Sequence, residues 1–447
     1  MSWSPARLWS RLVSNPLLVR VIRNSGYLLS ATTISTGLSM VQGALTARLL
    51  GVEGFGMVGL ITDFGSNVNR LTSFRMSQLV IHFVGDYTEK GKPREAAAVF
   101  KAAGLVEIAS SLLAVALIVA LAPFAAQVIA HDPGSASLFV VYSLAILANL
   151  IMETSTGLLQ FADRFAALSW ITLGQSVLTL ALMAAAFVRQ GDLLAVVIAF
   201  TAGKASGALA STGVALVEAR RRWGPGWWRA PLHLLADRRR EMIRFAWSTN
   251  LSTSIALLTR DSELLWLGAF SSPTQVGYYK VARAVTNILF VPVNPLISTT
   301  YREASLEVSA RRWPNVRSLL RSGSLLASLW TLPAALGLVF FGHAFISWVY
   351  TPESAAAYGP LLILLIGTVA VNILYWNRSL LLLLGEPAYP NWVQLWAGLL
   401  KIAATVVFVP LTGAAGMAVL LSAYFATTTA VLVARTRQLL RRAEAEA

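Results

Sequence analysis

Acidic, basic and amide side chains recur at helical spacing inside stretches that are otherwise apolar. Asp63, Asn67 and Arg70 stand at positions i, i+4 and i+7, so a helix presents them on one face. Arg283 and Asn287 stand one turn apart in a second such stretch. A guanidinium binds phosphate or carboxylate through paired hydrogen bonds, and a polar group within a bilayer must face protein or water. The pattern predicts a cationic, polar cavity that binds an anion.

We divide the candidate site residues by the chemistry that each type offers. The cationic lining for an anionic ligand comprises Arg70, Lys204, Arg260, Arg283, Arg378 and Lys401. The polar lining comprises Gln42, Asn67, Asn287 and Asn294. The candidates for ion coupling or gating are Asp63, Glu107, Glu153, Asp261 and Glu263.

Structural alternatives stand beside several of these assignments. Internal ion pairing explains Arg260, Asp261 and Glu263 as well as function does, and Glu107 or Glu153 could each pair with a lysine. Three further cations lie near helix ends, where snorkelling to the interface is the favoured interpretation: Arg48, Lys101 and Lys280.

The elements that would position these residues are membrane-spanning helices. Apolar residues form 56% of the chain and charged residues only 13%, about half the charged share of a typical soluble protein. Apolar stretches of 18 or more residues recur, each long enough to cross a bilayer as a helix. We predict twelve spans: 26–48, 55–73, 102–129, 136–159, 166–188, 193–217, 245–270, 276–299, 322–341, 359–383, 391–409 and 414–434.

The basic residues outside these spans concentrate on one side. Alternate loops and both tails hold 26 Lys and Arg, whereas the opposite loops hold only Arg189. Basic loops remain cytoplasmic, so we predict both termini in the cytoplasm of a bacterial inner membrane. The net charge of +15 then reports topology, and we expect no nucleic-acid partner.

The chain repeats itself at an offset of 220 to 222 residues. Phe55-Gly56 recurs as Val276-Gly277, and Lys101 recurs as Arg321. An offset of 220 pairs Asp63 with Arg283. We therefore predict an all-α membrane protein with two six-helix lobes, related by a pseudo-two-fold axis along the membrane normal, in a V shape around a central cavity. The predicted units are a basic amphipathic segment at 1–23, lobes at 24–217 and 244–434, a basic linker at 218–243 and a tail at 435–447.

Several kinds of chemistry have no motif in this sequence. Cysteine is absent, the four histidines show no metal-ligand spacing, and there is no phosphate-binding G-x-x-x-x-G-K-[ST] loop. We expect no metal, no cofactor and no ATP hydrolysis by this chain.

The string from Thr46 to Gly56 (TARLLGVEGFG) resembles the turn between the first two spans of polysaccharide flippases. Gln275-Val-Gly-Tyr-Tyr-Lys280 resembles a segment of the same family, which belongs to the multidrug/oligosaccharidyl-lipid/polysaccharide exporter superfamily. The resemblance implies movement of undecaprenyl-pyrophosphate-linked oligosaccharides between leaflets by alternating access, for O-antigen or exopolysaccharide synthesis. It also implies H⁺, Na⁺ or the membrane potential as the driving force.

Three other classes remain open. One is a non-transporting scaffold for a polysaccharide assembly complex, which would not need so many intramembrane charges. A drug or cation antiporter of the same superfamily would favour an acidic, aromatic cavity. A membrane-embedded polymerase or ligase would favour a large outer loop, and the outer loops here are short. We expect a monomer in the lipid bilayer, with a polysaccharide polymerase or chain-length complex as a further possible partner.

Overall fold

The computed structural model describes residues 16–74 and 76–445, with side chains from residue 30 onward except at a few positions. The described part is helical and has no strand. The predicted amphipathic segment at 1–23 falls mostly outside the described residues.

The first half begins with the longest helix. Its helices are α1 (Pro16–Thr72), α2 (Met76–Glu89), α3 (Pro93–Phe124), α4 (Ala136–Ala148), α5 (Met152–Phe161), α6 (Phe165–Val188) and α7 (Leu193–Trp223). Two short 3₁₀ helices, Trp227–Arg229 and Leu232–Arg238, form the linker.

The second half ends with a helix of equal length. Its helices are α8 (Arg239–Ala256), α9 (Glu263–Phe270), α10 (Pro273–Asn287), α11 (Asn294–Ser309), α12 (Trp313–Val349), α13 (Tyr358–Ile373), α14 (Asn377–Leu383) and α15 (Tyr389–Ala445).

Twelve crossings account for these helices in the described part of the chain, as the sequence predicts. Eight helical stretches are long and apolar enough to span a membrane, and α10 with α11 forms a ninth, bent by 50°. Gly51 (φ 73°) and Gly413 (φ 56°) adopt the left-handed conformation that favours glycine, and each divides a 57-residue helix into two crossings. Helices α8 and α9, joined by the π-helical turn Leu257–Asp261, form the remaining crossing.

The two ends of the helix bundle differ in how the halves meet. We call the end that carries residues 72–93, 223–239 and 309–313 the terminal end, and the opposite end the closed end. One hydrophobic core at the closed end contains side chains of both halves, among them Phe55, Leu60, Val276 and Tyr350.

Two further cores lie at the terminal end, and they are separate. One belongs mainly to the first half and includes Phe83 and Phe100, although Met242 and Ala246 of α8 also join it. The other belongs to the second half and includes Val316 and Leu440. A shared core at one end and separate cores at the other produce a V shape that opens toward the terminal end.

Glycine contacts hold the closed end together. A Cβ on Gly56 would lie 1.9 Å from the carbonyl oxygen of Pro273, and one on Gly277 would lie 2.2 Å from that of Val52. Only glycine permits this approach of α1 and α10. Arg48 adds hydrogen bonds from its Nε to the carbonyl oxygens of Val349 (3.1 Å) and Tyr350 (3.0 Å) in the other half.

Candidate functional site

A cavity of about 860 Å³ lies between the halves, at the fork of the V. Helices α1, α4, α6 and α7 line it from the first half, and α10 and α12 line it from the second. Four of the predicted site residues line this central cavity: Gln42, Asp63, Lys204 and Asn287.

Two lysines and one carboxylate set the charge of the central cavity. The ammonium of Lys204 donates to the hydroxyl groups of Tyr142 (2.8 Å) and Ser66 (3.2 Å). The ammonium of Lys280 donates to the carbonyl oxygen of Phe55 at 3.1 Å and lies 4.0 Å from the centre of that ring. Asp63 lies in the electrostatic field of both lysines. Both ammonium groups donate to neutral oxygens, and against the single carboxylate of Asp63 they leave the central cavity with a net positive charge.

Hydroxyl and amide groups form an adjoining wall of the central cavity. Gln42 on α1 donates from Nε2 to the carbonyl oxygen of Ser176 at 2.9 Å, and the hydroxyls of Ser35 and Ser176 lie 2.5 Å apart. Gln175 and Thr179 continue this surface along α6. Neutral donors and acceptors of this kind suit a hydroxyl-rich ligand such as a sugar.

A second, smaller cavity of about 280 Å³ adjoins the first and shares Asn287 with it. Four more predicted residues line this side cavity: Arg260, Asp261, Arg283 and Asn294. Arg260 and Asp261 stand on the π-helical turn, which widens the helix at this point.

Asp261 links the two halves at the side cavity. It accepts hydrogen bonds from Arg260 (2.9 Å) within its own half and from Arg70 (3.2 Å) on α1. The Arg70 side chain is 54% exposed, so most of its guanidinium remains open to a further anion. The rings of Phe74 and Trp247, 6.0 Å apart, form a further contact between the two halves.

Glu263 is the centre of a buried ionic network in the second half. Its carboxylate accepts hydrogen bonds from Lys401 (2.5 Å), Arg283 (3.1 Å) and the hydroxyl of Tyr279 (2.5 Å). The side chains of Glu263 and Lys401 are at most 5% exposed. Lys401 therefore faces the lobe interior, and only Arg283 connects this network to the side cavity.

The other predicted residues lie apart from the two cavities. Arg378 is exposed and donates to Asn391 at 3.3 Å. Asn67 is buried in the packing of α1, and its amide nitrogen has no partner among the described residues. Glu107 accepts the backbone N–H groups of Glu153 (2.7 Å) and Thr154 (2.8 Å) at the start of α5, and so caps that helix.

Lys280 is the site residue that the sequence interpretation missed. It was assigned to snorkelling, yet it lines the central cavity because Gly59 leaves room for its side chain on α1. Gly59 and Lys280 are equivalent in the repeat at an offset of 221, as are Gly56 and Gly277. That offset assigns Ala284, not Arg283, to Asp63, and Arg283 points to Glu263 instead. The sequence feature that could have revealed this contact is the pair of glycines at Gly56 and Gly59, which lets α10 approach α1 closely.

Cations outnumber carboxylates along this seam. The cations at the two cavities are Lys204, Arg260, Lys280 and Arg283, with Arg70 bound to Asp261 beside them, and the carboxylates are Asp63 and Asp261. The chemistry of such a surface suits a multiply charged anion beside a hydroxyl-rich group. Within the described ranges no three His, Asp or Glu side chains converge as a metal site requires.

Comparison with known proteins gives consistent matches. A family model described as "Polysaccharide biosynthesis protein" matches residues 21–301. The "Inner membrane protein YghQ" of Escherichia coli (strain K12) is 23% identical over 338 residues, which cover 76% of this chain and 94% of that protein.

Two solved structures share the fold. An inward-facing multidrug resistance MATE family transporter of the MOP superfamily superposes with a TM-score of 0.74 at 13% identity, over 92% of this chain and 95% of that one. The lipid II flippase MurJ, in an inward closed conformation, superposes with a TM-score of 0.71 at 13% identity, over 93% and 89% of the two chains. The chain therefore has the two-lobed fold of these membrane transporters.

Proposed function

From the premise that this chain belongs to the polysaccharide biosynthesis protein family, we propose that it is a flippase for lipid-linked oligosaccharides. The proposed substrate is an oligosaccharide on undecaprenyl pyrophosphate, carried from the cytoplasmic to the periplasmic leaflet of a bacterial inner membrane. The expected products are surface polysaccharides such as O-antigen or exopolysaccharide. The relative in Escherichia coli is itself named an inner membrane protein.

The composition of the central cavity carries this proposal. The ammonium groups of Lys204 and Lys280 stand beside the hydroxyl and amide wall of α1 and α6. A pyrophosphate needs cations, whereas its sugars need neutral hydrogen-bonding groups, and this cavity offers both at adjoining surfaces. The arginines of the side cavity extend the cationic surface along the seam.

The shape of the molecule supports alternating access. The halves meet at the closed end through Gly56, Gly277 and Arg48, while separate hydrophobic cores lie at the terminal end. With the termini in the cytoplasm, as the basic loops predict, this is the conformation that receives cargo from the cytoplasmic leaflet. Separation of the closed end would then release cargo on the other side.

The driving force, the oligomeric state and the partners are proposed from the sequence alone. We propose that H⁺, Na⁺ or the membrane potential drives the cycle, with Asp63 as the coupling candidate inside the cavity. We further propose a monomer that works beside a polysaccharide polymerase or chain-length complex.

A drug or cation antiporter is the second candidate, since the fold is shared with a multidrug transporter. The excess of cations along the seam disfavours it, because an organic cation would meet repulsion from these groups. A polymerase or ligase is disfavoured because such an enzyme is expected to carry a large outer loop, and the outer loops here are short.

A deletion strain tests the proposal. We expect loss of the surface polysaccharide and accumulation of lipid-linked oligosaccharide, with both effects reversed by the wild-type gene. The double variant K204Q/K280Q is expected to fail at normal membrane levels, whereas K92Q, an exposed lysine outside the cavity, is expected to succeed. If lipid-linked sugars do not accumulate, or if the double variant complements fully, the proposal is wrong.

A further inference from the structure

A groove of about 700 Å³ lies at the terminal end of the second half, outside the seam. Helix α12 forms one wall, the last turns of α15 form the other, and the break between α13 and α14 forms the floor. Its lining includes Arg321, Leu325, Ser328, Thr436, Arg437 and Arg441.

The lining changes from charged to apolar with depth. Arg317 and Arg321 lie on the first turns of α12, and Arg437 and Arg441 lie on the last turns of α15, so all four stand where the helices leave the membrane. Further into the bilayer the walls carry no charge, and they combine apolar side chains such as Leu325 with the hydroxyls of Ser324 and Ser328. This polarity gradient matches that of a lipid, with its head at the interface and its chains in the hydrocarbon.

The internal repeat shows what occupies the equivalent place in the first half. Lys101, the counterpart of Arg321, donates to the carbonyl oxygen of Ala230 in the linker at 3.2 Å. Phe100 beside it packs against Trp223 and Trp227, with ring centres 5.7 and 5.2 Å away. The linker therefore covers this position in the first half, whereas the groove of the second half is open.

The charge of the groove restricts what can fill it. Among the described residues, no carboxylate lies within ion-pair distance of Arg321, Arg437 or Arg441, while Arg317 pairs with Glu444 at 2.6 Å. The buried hydroxyl of Thr436 also lacks a partner within the described part of the chain. The segment at 1–15 carries two arginines and no acid, so it would be repelled. The occupant must bring negative charge and an apolar portion together.

We propose that this groove binds an anionic phospholipid of the leaflet at the terminal end. The phosphate contacts Arg321, Arg437 and Arg441, and an acyl chain lies along Leu325 and beside Ser328. Basic pockets between membrane helices on the cytoplasmic side are suited to such headgroups. The site is separate from the cargo pathway and does not depend on the proposed function.

Native mass spectrometry of the full chain, titrated with phosphatidylglycerol or phosphatidylcholine, tests this site. We expect tighter binding of phosphatidylglycerol, and a loss of at least about tenfold in that affinity for R321Q/R437Q/R441Q, since each basic residue near an anionic lipid contributes strongly. The matched control R220Q/R221Q/R240Q removes the same charge at the same end, from the end of α7 and the start of α8, outside the groove. We expect it to retain affinity within about threefold.

A second variant tests the apolar part of the groove. S328W fills this part without changing the charge, and it is expected to weaken the binding of phosphatidylglycerol as well. Inorganic phosphate at equal concentration should not displace the lipid. Equal losses in the two triple variants, or unchanged binding by S328W, would overturn the proposal. Displacement by inorganic phosphate, or preference for a polyprenyl pyrophosphate over phosphatidylglycerol, would overturn it too, because the occupant would then be a free anion or the cargo lipid.

Discussion

Gly56 and Gly277 pack backbone against backbone across the seam, although 221 residues separate them in the chain. Residues that are equivalent in two halves touch each other only where a pseudo-two-fold axis passes between them. The pair therefore marks that axis at the closed end, and Gly59 beside Lys280 continues the line toward the cavity.

The first prediction concerns this contact. Gly56→Ala places a methyl group within 3 Å of the backbone of Pro273 and Gly277, which cannot yield without moving α10. We expect the closed end to separate, at a cost of about 1–3 kcal/mol. A cysteine at Ser39, which lines the central cavity, should then react with a membrane-impermeant thiol reagent from outside the cell.

The control for this variant is Gly337→Ala, since a Cβ there meets nothing within 4 Å. It should leave labelling and polysaccharide complementation at wild-type levels. Unchanged labelling of Ser39→Cys in the Gly56→Ala background would show that the glycine contact does not hold the closed end.

Arg48 provides an electrostatic seal at the same end. Its guanidinium donates to the last carbonyl groups of α12 and the residue after it, which no helical N–H satisfies. Hydrogen bonds to a charged group contribute about 1.5–3 kcal/mol, so R48Q should favour the open state by roughly tenfold to a hundredfold. The rate of Ser39→Cys labelling from outside measures this shift.

Arg189 offers the matched control, because it is exposed at the closed end. In the R189Q background, Ser39→Cys should be labelled at the same rate as in the background with Arg189 intact. Equal acceleration in R48Q and R189Q would assign the effect to surface charge rather than to the seal.

Hydropathy and repeat patterns predicted most of the fold, because membrane crossings and close helix contacts each require particular residue types within a short stretch of sequence. A crossing needs a run of apolar residues, and the close approach of α1 to α10 needs Gly56. The patterns also selected Asp63 and Lys204, since a charge in an apolar span requires a cavity or a partner.

The remaining features depend on tertiary contacts that the sequence does not record. Lys280 reaches the cavity only because Gly59 on another helix makes room for it. Glu263 pairs with Lys401, 138 residues away, and no periodicity connects them. Glu107 caps a helix that begins at a break in the fourth span, which the apolar pattern passes over.

The Glu263 network gives a stability prediction. E263Q leaves Lys401 buried without a carboxylate, and breaking a buried pair in this way costs about 3–5 kcal/mol. Replacing Lys401 as well removes the uncompensated charge, so E263Q/K401M should recover part of the loss. Thermal unfolding of the purified protein measures both changes.

An exposed ion pair serves as the control for this network. Arg302 and Glu303 lie 3.8 Å apart with both side chains 55% exposed, so E303Q should change stability by less than about 1 kcal/mol. The assignment of Glu263 to a structural role is contradicted if E263Q unfolds at the wild-type temperature.

The variant E107Q distinguishes a helix-capping role of Glu107 from a role in ion coupling. An uncharged glutamine accepts only one of the two N–H groups strongly, so E107Q should lose about 1–2 kcal/mol of stability. Transport should keep its dependence on the ion gradient. E153Q, whose carboxylate accepts the hydroxyl of Ser77 at 2.7 Å, should behave as wild type. Loss of gradient dependence in E107Q with normal stability would instead make Glu107 the coupling group.

The absence of cysteine permits a direct test of orientation. Ser309 lies at the last turn of α11 at the terminal end, and Gln190 lies between α6 and α7 at the other end. If the basic loops are cytoplasmic, an impermeant thiol reagent should label Gln190→Cys in intact cells and reach Ser309→Cys only after lysis. Labelling of Ser309→Cys in intact cells would invert the topology. The V would then open to the outside, and the structure would represent the release state rather than the loading state.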